Sequence, residues 1–129
     1  MKRRCGIEAT LSRELEAKSQ LAKENIMITL CICYTIDLHK TAEFEQYARR
    51  WPEPIKRCGG DLIGYFLPTK FAGPTNVAYA LIRFANLTAY EKYREALGKD
   101  PDAIANVAAA DASRCTLVED RSFLQKVPE

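Results

Sequence analysis

Two hydrophobic periodicities alternate along the chain after residue 25. Stretches rich in β-branched and aromatic residues predict strands, while apolar residues three, four and seven positions apart predict helices. The predicted strands are Ile26–Asp37, Asp61–Pro68, Asn76–Ala85 and Arg114–Lys126. The predicted helical segments are 37–58, 87–97 and 101–113. This order of elements predicts an α+β fold, a ferredoxin-like βαββαβ antiparallel sheet with its helices on one side.

Capping residues and helix breakers set the predicted helix boundaries. Asp37 and Asn86 are suitable N-caps, and Asp100–Pro101 supplies an N-cap followed by a proline at the first helical position. Pro52 and Pro54 predict a kink or break in the last turns of the first helix. The residues expected on the inner side of the last helix are Ile104, Val107 and Ala108.

Apolar residues occupy both faces of the predicted sheet. In the third strand, one face has Ala78, Ala80, Ile82 and Phe84, and the other has Val77, Tyr79 and Leu81. In the first strand, one face has Ile28, Leu30, Ile32, Tyr34 and Ile36, and the other has Met27, Thr29, Cys31 and Cys33. Unbroken alternation in the second strand places Leu62 and Phe66 opposite Ile63, Tyr65 and Leu67, although Gly64 indicates a bulge or a close backbone approach.

An apolar open face requires a cover. A sheet with helices on one side alone normally alternates apolar with polar residues, and soluble proteins avoid large exposed apolar patches. We therefore expect two copies to pack sheet to sheet as a homodimer, a dimeric α+β barrel with two-fold symmetry. The alternative is that the N-terminal segment folds over this face, but its apolar stripe is thin.

Residues 1–25 differ in character from the rest of the chain. Ala9 to Lys23 favours an extra helix with a thin apolar stripe. We expect residues 1–25 to be an N-terminal extension, helical or partly disordered, and residues 26–129 to be the folded domain. An added helix on the body or an extension read through from an early start both fit, whereas four glutamates disfavour a targeting signal. Met27 would be a natural start for the folded unit.

Charge and cysteine content restrict the partners and the compartment. The formal charge of +2 lies in residues 1–25, which carry six basic and four acidic side chains, so the remainder is neutral. A neutral body lacks the basic footprint of nucleic-acid binding, and no apolar run reaches the length of a membrane span. The odd number of cysteines, five, without paired spacing predicts free thiols and a cytoplasmic location. Cys31 and Cys33 are expected to be small packing residues, and we expect no metal or cofactor.

Several motifs together resemble a known family. MITLCICYTID, AEFEQYARRW, GGDLIGYFLP, NVAYALIRF, LTAYEKYR and VEDRSF occur in this order from about Met27 to Val127. Their order and spacing resemble the bacterial NIPSNAP-like family, and the resemblance implies the dimeric α+β barrel fold. Many members have adjacent histidines where this chain has Asp61, Leu62 and Ile63, so histidine chemistry of that variant does not transfer. The family's biochemical activity is largely unassigned, so the resemblance implies architecture more than mechanism.

No catalytic constellation is evident, because His39 is the only histidine and Ser122 and Cys115 have no adjacent base. Arg83, expected with Tyr79 on the open face, and Arg121, on the last strand, are candidates for clamping an organic anion; structural ion pairs are the alternative. The remaining candidate binding residues are Tyr34, Tyr65 and Tyr79, which could line a pocket, and the carboxylates Asp61 and Glu119. Trp51 and Tyr47 are expected to be core residues.

Three functions remain open at the level of sequence. The first is a homodimeric module that binds a small molecule, such as an organic acid. The second is a cofactor-free monooxygenase or isomerase, which this barrel hosts in other proteins. The third is a structural or interaction module. A buried base in an apolar pocket would favour the enzyme, since a catalyst acting on an acidic C–H or phenol needs one.

Overall fold

The computed structural model describes Ser12, Arg13 and residues 27–128. Its strands are β1 (Ile28–Ile36), β2 (Asp61–Phe66), β3 (Val77–Phe84) and β4 (Thr116–Leu124). Its helices are α1 (Thr41–Arg49), α2 (Pro52–Arg57), α3 (Leu87–Leu97) and α4 (Pro101–Ser113), with a 3-10 turn at Leu38–Lys40. The strands form one antiparallel sheet in the order β2-β3-β1-β4. The predicted ferredoxin-like βαββαβ fold is confirmed.

The predicted N-terminal helix lies outside the described residues, apart from Ser12 and Arg13, which are helical. The division of the chain at residues 25 and 26 therefore stays a prediction. Within the part of the chain that the structure describes, no helix combines the length and apolarity needed to cross a membrane.

The predicted caps and breaks occur at the expected residues, except that Asp37 caps the 3-10 turn before α1 and not α1 itself. The Asp37 carboxylate accepts a hydrogen bond from the His39 amide at 2.9 Å, and the Asn86 side chain caps α3. The first helical segment divides into α1 and α2, and Pro52 begins the second piece. The chain then turns at Gly59, whose φ of +104° is a left-handed conformation that glycine adopts without a steric penalty.

Polar contacts hold α4 along its length. At its start, the Asp100 carboxylate accepts from the amides of Asp102 and Ala103 and from the Arg57 guanidinium, with both Arg57 hydrogen bonds at 2.8 Å. Arg57 holds the pKa of Asp100 well below its usual range. Near its middle, Asn106 Nδ2 donates to the main-chain oxygen of Tyr47 at 3.0 Å.

At the C-terminal end of α4, Lys40 Nζ donates to the main-chain oxygen of Ser113. The predicted inner side of this helix is right in part: Ile104 and Val107 face the space between α4 and the sheet but stay partly exposed, Ala108 is exposed, and the buried residues are Ala103 and Asn106. The Asn106 side of the helix faces α1, where its amide meets the Tyr47 main chain.

The main core lies between the sheet and the helices. Alternate side chains of β1 and β3 are almost fully buried there: Ile28, Leu30, Ile32, Tyr34 and Ile36 from β1, and Ala78, Ala80, Ile82 and Phe84 from β3. They pack against helix residues that include Phe44, Ala48, Ile55 and Tyr93. The faces predicted for these two strands are confirmed.

The faces predicted for β2 are wrong for Tyr65 and Phe66. The register between β2 and β3 shifts between Leu62 and Gly64, which leaves Ile63 as an extra residue in a bulge. Tyr65 therefore pairs with Ala80 on the helix side, and Phe66 pairs with Tyr79 on the open face. The predicted faces assumed unbroken alternation through Gly64, and one inserted residue inverts every side chain after it.

The open face of the sheet has no cover among the described residues. Its large apolar side chains are 44–55% exposed: Met27, Phe66, Tyr79, Val118 and Leu124. Cys31, Cys33, Val77 and Leu81 lie between them and are half-buried. Apolar residues thus occupy both faces, as the sequence predicted.

Gly60 provides a test of packing at the start of β2. A Cβ there would lie 2.8 Å from Ile55 Cγ2 and 3.1 Å from both Ile82 Cγ2 and Tyr93 Cε1. We expect Gly60→Ala to lower the free energy of unfolding by about 1–3 kcal/mol through overpacking, measured by urea denaturation. Gly98→Ala is the control, because its Cβ would make only contacts of 3.5 Å or more. Equal effects of the two changes would contradict this account.

Candidate functional site

A cavity of about 850 Å³ lies between the helix side of the sheet and the helices. All four strands and all four helices from α1 to α4 contribute to its walls. Ile104 and Val107 of α4 and Leu117 of β4 line it while remaining 44–61% exposed. The cavity therefore opens to solvent between α4 and β4, the edge strand.

Three tyrosines form a connected cluster in the wall. The hydroxyls of Tyr34 and Tyr65 lie 3.2 Å apart, and their rings are stacked with centroids 6.0 Å apart. The Tyr47 ring meets the Tyr34 ring edge to face at 6.2 Å. Burial raises the pKa of all three hydroxyls. They are therefore neutral near pH 7 and can both donate and accept hydrogen bonds.

A charged pair from β4 lies beside the tyrosines. Glu119 is the cross-strand neighbour of Tyr34, and Arg121 is the neighbour of Ile32, so both side chains lie on the helix side of the sheet. Arg121 Nε donates to Glu119 Oε2 at 3.2 Å. Burial lowers the pKa of Arg121, but the Glu119 carboxylate outweighs it and leaves a net increase.

Trp51, at the junction of α1 and α2, also lines the cavity. Its side chain is 5% exposed, and its indole Nε1 has no hydrogen-bond acceptor among the described residues. The Trp51 ring meets the Tyr47 ring edge to face at 5.7 Å. Nε1 is shielded from the cavity as well as from bulk water, and the indole N–H lowers the pKa of the neighbouring Tyr47 hydroxyl.

The profile of the NIPSNAP family matches residues 29–128. The chain belongs to the NIPSNAP family. No curated protein matches the sequence. The resemblance of the sequence motifs to this family is confirmed. The family name assigns no reaction to the cavity.

Solved structures of the NIPSNAP family have the same fold. A NIPSNAP-like domain protein from Burkholderia xenovorans is 24% identical, with a TM-score of 0.66 over 80% of this chain and 87% of that one. A NIPSNAP family protein of unknown function from Agrobacterium tumefaciens is 18% identical, with a TM-score of 0.68 over 81% and 92%. SnoaB from Streptomyces nogalater, a cofactor-independent oxygenase, is 17% identical, with a TM-score of 0.57 over 80% and 95%.

The seven candidate residues divide between the two faces of this NIPSNAP-family sheet. Tyr34, Tyr65, Glu119 and Arg121 meet at the cavity. Asp61, Tyr79 and Arg83 lie on the open face, where Arg83 Nη2 and Asp61 Oδ2 form a salt bridge of 2.7 Å. Arg83 therefore forms a structural ion pair, which was the alternative to its binding an organic anion. The two arginines therefore cannot act on one ligand within one subunit.

Two cavity residues that the sequence assigned to the core, Tyr47 and Trp51, belong to the candidate site. Their apolar spacing predicted burial correctly, but both carry a polar atom at the end of an apolar ring. That combination is the signal that could have identified them, since buried tyrosine and tryptophan usually find a hydrogen-bond partner. His39 is exposed, and no group of three or more potential metal ligands occurs in residues 27–128 or at Ser12 and Arg13.

The tyrosine cluster predicts the response of the protein to alkaline pH. A hydroxyl whose pKa is higher in the folded state stabilises the fold below its unfolded pKa of about 10, and this contribution is lost as pH rises above it. We expect the free energy of unfolding to fall above about pH 10, and to fall less steeply in the double variant Tyr34→Phe, Tyr65→Phe. Urea denaturation between neutral and alkaline pH measures both slopes. Identical slopes would show that these hydroxyls ionise as easily in the folded protein as in the unfolded chain.

Proposed function

We propose that this NIPSNAP-family protein is a homodimer that binds a small organic acid in the cavity between its sheet and helices. The observation that carries the proposal is the cavity itself, with apolar walls and a few convergent polar groups. Its volume of about 850 Å³ falls in the range of about 300–1,000 Å³ that is typical of small-molecule sites.

The charges of the cavity favour an anion. Three arginines line it, Arg94, Arg114 and Arg121, against two carboxylates, Asp111 and Glu119. Of these five residues, all of them in the described part of the chain, only Glu119 and Arg121 form a salt bridge with each other. The lining therefore carries one more positive than negative side chain, which would attract an acidic ligand.

The neutral tyrosine hydroxyls add donors to this positive excess. The Tyr34–Tyr65 hydrogen bond uses one of the two hydroxyl hydrogens, and Tyr47 adds a third hydroxyl to the cluster, so the cluster has more hydrogens to donate than this one bond uses. A carboxylate offers several acceptor sites and has no hydrogen to donate, so it suits a wall of donors. The surrounding aliphatic side chains, such as Ile55 and Leu97, would hold the apolar body of the molecule.

The open face of the sheet supports the homodimer. It presents partly exposed apolar residues from all four strands, including Phe66, Tyr79 and Leu124. Sheet-to-sheet association of two copies would remove this surface from water, which is the favourable term in most association. The four described cysteines are free thiols, which supports the proposal of a reducing, cytoplasmic location.

An enzyme of the cofactor-free oxygenase or isomerase type is the second candidate. Glu119 supports it, because this carboxylate lies beside the tyrosine cluster in a largely apolar cavity and could take a proton from an acidic C–H or phenol. The structural similarity to a cofactor-independent oxygenase supports it at the level of fold. A ligand that the protein converts, seen as a gain in mass for an oxygenase or as a changed NMR spectrum at constant mass for an isomerase, would favour this candidate over simple binding if Glu119→Gln abolished the conversion.

The two arginines form a matched test of anion binding. We expect Arg121→Ala to weaken binding of naphthalene-2-carboxylate by about tenfold, because it removes the positive charge beside the cavity wall. Arg83→Ala removes a charge of the same kind from the open face and should leave the affinity unchanged. Isothermal titration calorimetry measures both affinities. Equal affinity of the Arg121→Ala and parent proteins would reject the anion site.

The oligomeric state tests the second half of the proposal. Native mass spectrometry should give a mass of about 29 kDa, twice the 14.6 kDa of one chain. Tyr79→Asp places a charge in the middle of the open face, so we expect it to shift the protein to single folded subunits. Leu38→Asp changes an exposed leucine outside the sheet and is the control. Stable monomers of the parent protein in dilute solution would overturn the dimer.

A further inference from the structure

We propose that Asp111 and Arg114 form a second recognition point of the cavity, which binds a neutral group with a hydrogen-bond acceptor and a donor side by side, such as a carboxamide. The inference rests on the proposed binding of an organic acid and goes beyond it, because it assigns the far end of the bound molecule. The ligand class that follows is an elongated acid with an apolar body and an amide opposite its carboxylate.

The two side chains are neighbours at the C-terminal end of α4. Asp111 lies in the last turn of the helix, Arg114 directly follows it, and both line the cavity. Neither side chain forms a salt bridge or a hydrogen bond with the residues that the structure describes. An unpaired guanidinium and an unpaired carboxylate, one turn apart, offer donors and acceptors to the same bound group.

The backbone of Arg114 has an unfavourable conformation. Its φ of 56° and ψ of 36° are left-handed, and among the described residues it is the one non-glycine residue with a positive φ. Glycine adopts this conformation without a steric penalty, whereas the Cβ of an arginine is crowded there. Strained residues of this kind cluster at binding sites. An arginine at a position where glycine is sterically favoured fits a role in binding.

The carboxylate of the ligand belongs at the other end of the cavity, beside Arg121. Arg121 pairs with Ile32 in the middle of β1. Thr116, which follows shortly after Arg114, pairs with Ile36 at the C-terminal end of β1. An extended strand places the Cα atoms of residues 116 and 121 about 15 Å apart. The two arginines therefore contact different parts of one elongated ligand.

Arg94 of α3 adds a second positive charge at the Arg121 end. Burial raises the pKa of the Tyr93 hydroxyl, and the guanidinium groups of Arg121 and Arg94 oppose this increase, so both act on the same hydroxyl. Glu119 is paired with Arg121. This end of the cavity thus keeps one positive charge, which a single carboxylate neutralises.

The charges at the far end favour an amide over a second acid. Arg114 and Asp111 have opposite charges that sum to zero, so a second carboxylate would be attracted by one and repelled by the other. The carbonyl oxygen of a carboxamide accepts from Arg114, and its N–H donates to Asp111. A neutral amide also costs less to remove from water than a charged group does.

The lining between the two ends is apolar. Its side chains there are Ile104, Val107 and Ala110 of α4 and Leu117 of β4. Ile104, Val107 and Leu117 are 44–61% exposed, so the body of a ligand would remove their apolar surface from water. A rigid aromatic body suits this stretch, because it loses little entropy on binding.

Matched probes test the far end of the cavity in the full-length protein. Two rigid acids of different length, naphthalene-2-carboxylate and biphenyl-4-carboxylate, each carry a methyl, a carbamoyl or a second carboxylate group at position 6 or 4′. We expect the carbamoyl form of at least one acid to bind about three- to tenfold more tightly than its methyl form, the effect of one or two hydrogen bonds. The dicarboxylate should bind less tightly than the carbamoyl form. Isothermal titration calorimetry measures the affinities.

Two variants remove the proposed partners of the amide. In Arg114→Gly and in Asp111→Ala, the ratio of the carbamoyl to the methyl affinity should fall toward one. This ratio cancels the altered charge of the cavity, which acts on both probes alike. Arg114→Gly relieves the left-handed strain, so we expect its urea midpoint not to fall. Arg50 directly follows α1 and does not line the cavity, so Arg50→Gly is the control and should keep the parent ratio.

The outcomes separate this inference from the proposed function. If the acids bind but the carbamoyl group adds no affinity to either one, the far end is not an amide site and the acid site at Arg121 stands. A dicarboxylate that binds more tightly than the carbamoyl form, or a ratio unchanged in both variants, also overturns the inference alone. If no form of either acid binds, the proposed acid site falls together with it.

Discussion

The cavity depends on the way α4 is held. Its anchors are polar and lie at the start, middle and end of the helix: the Asp100–Arg57 pair, the Asn106 amide on Tyr47, and Lys40 on Ser113. A helix fixed by apolar packing would lie against the sheet and fill the space between them. Polar anchors on one side leave Ile104 and Val107 facing open space. The apolar wall of the candidate site follows from this arrangement.

A local irregularity in β2 determines which side chains meet in the cavity. The bulge at Ile63 turns Tyr65 from the open face to the helix side, where its hydroxyl reaches that of Tyr34. Without the extra residue, Tyr65 would lie beside Tyr79 and the Tyr34 hydroxyl would be left without this partner at 1% exposure. A glycine follows the bulged residue, and its missing side chain relieves crowding where the strand bends. One inserted residue thus creates the polar cluster of the cavity.

The sequence predicted the elements, their caps and the faces of β1 and β3, because each depends on neighbours only a few residues apart. The break before Pro52 and the cap at Asp100 are of this kind. The face of Tyr65 could not be predicted, since it depends on whether β2 pairs with β3 in continuous register. The direction of Arg121 likewise depends on the register of β4 against β1.

The two faces of the sheet are both apolar, but they differ in what covers them. On the helix side, coverage by α4 is incomplete and leaves a space with convergent polar atoms, which suits a small molecule. On the open face, the apolar residues form a broad surface across neighbouring strands, which suits another sheet. The Asp61–Arg83 pair belongs to the second surface and the Glu119–Arg121 pair to the first. Because β1 contributes Tyr34 to one face and Cys33 to the other, one strand carries both surfaces, and a change in its register would disturb the cavity and the open face together.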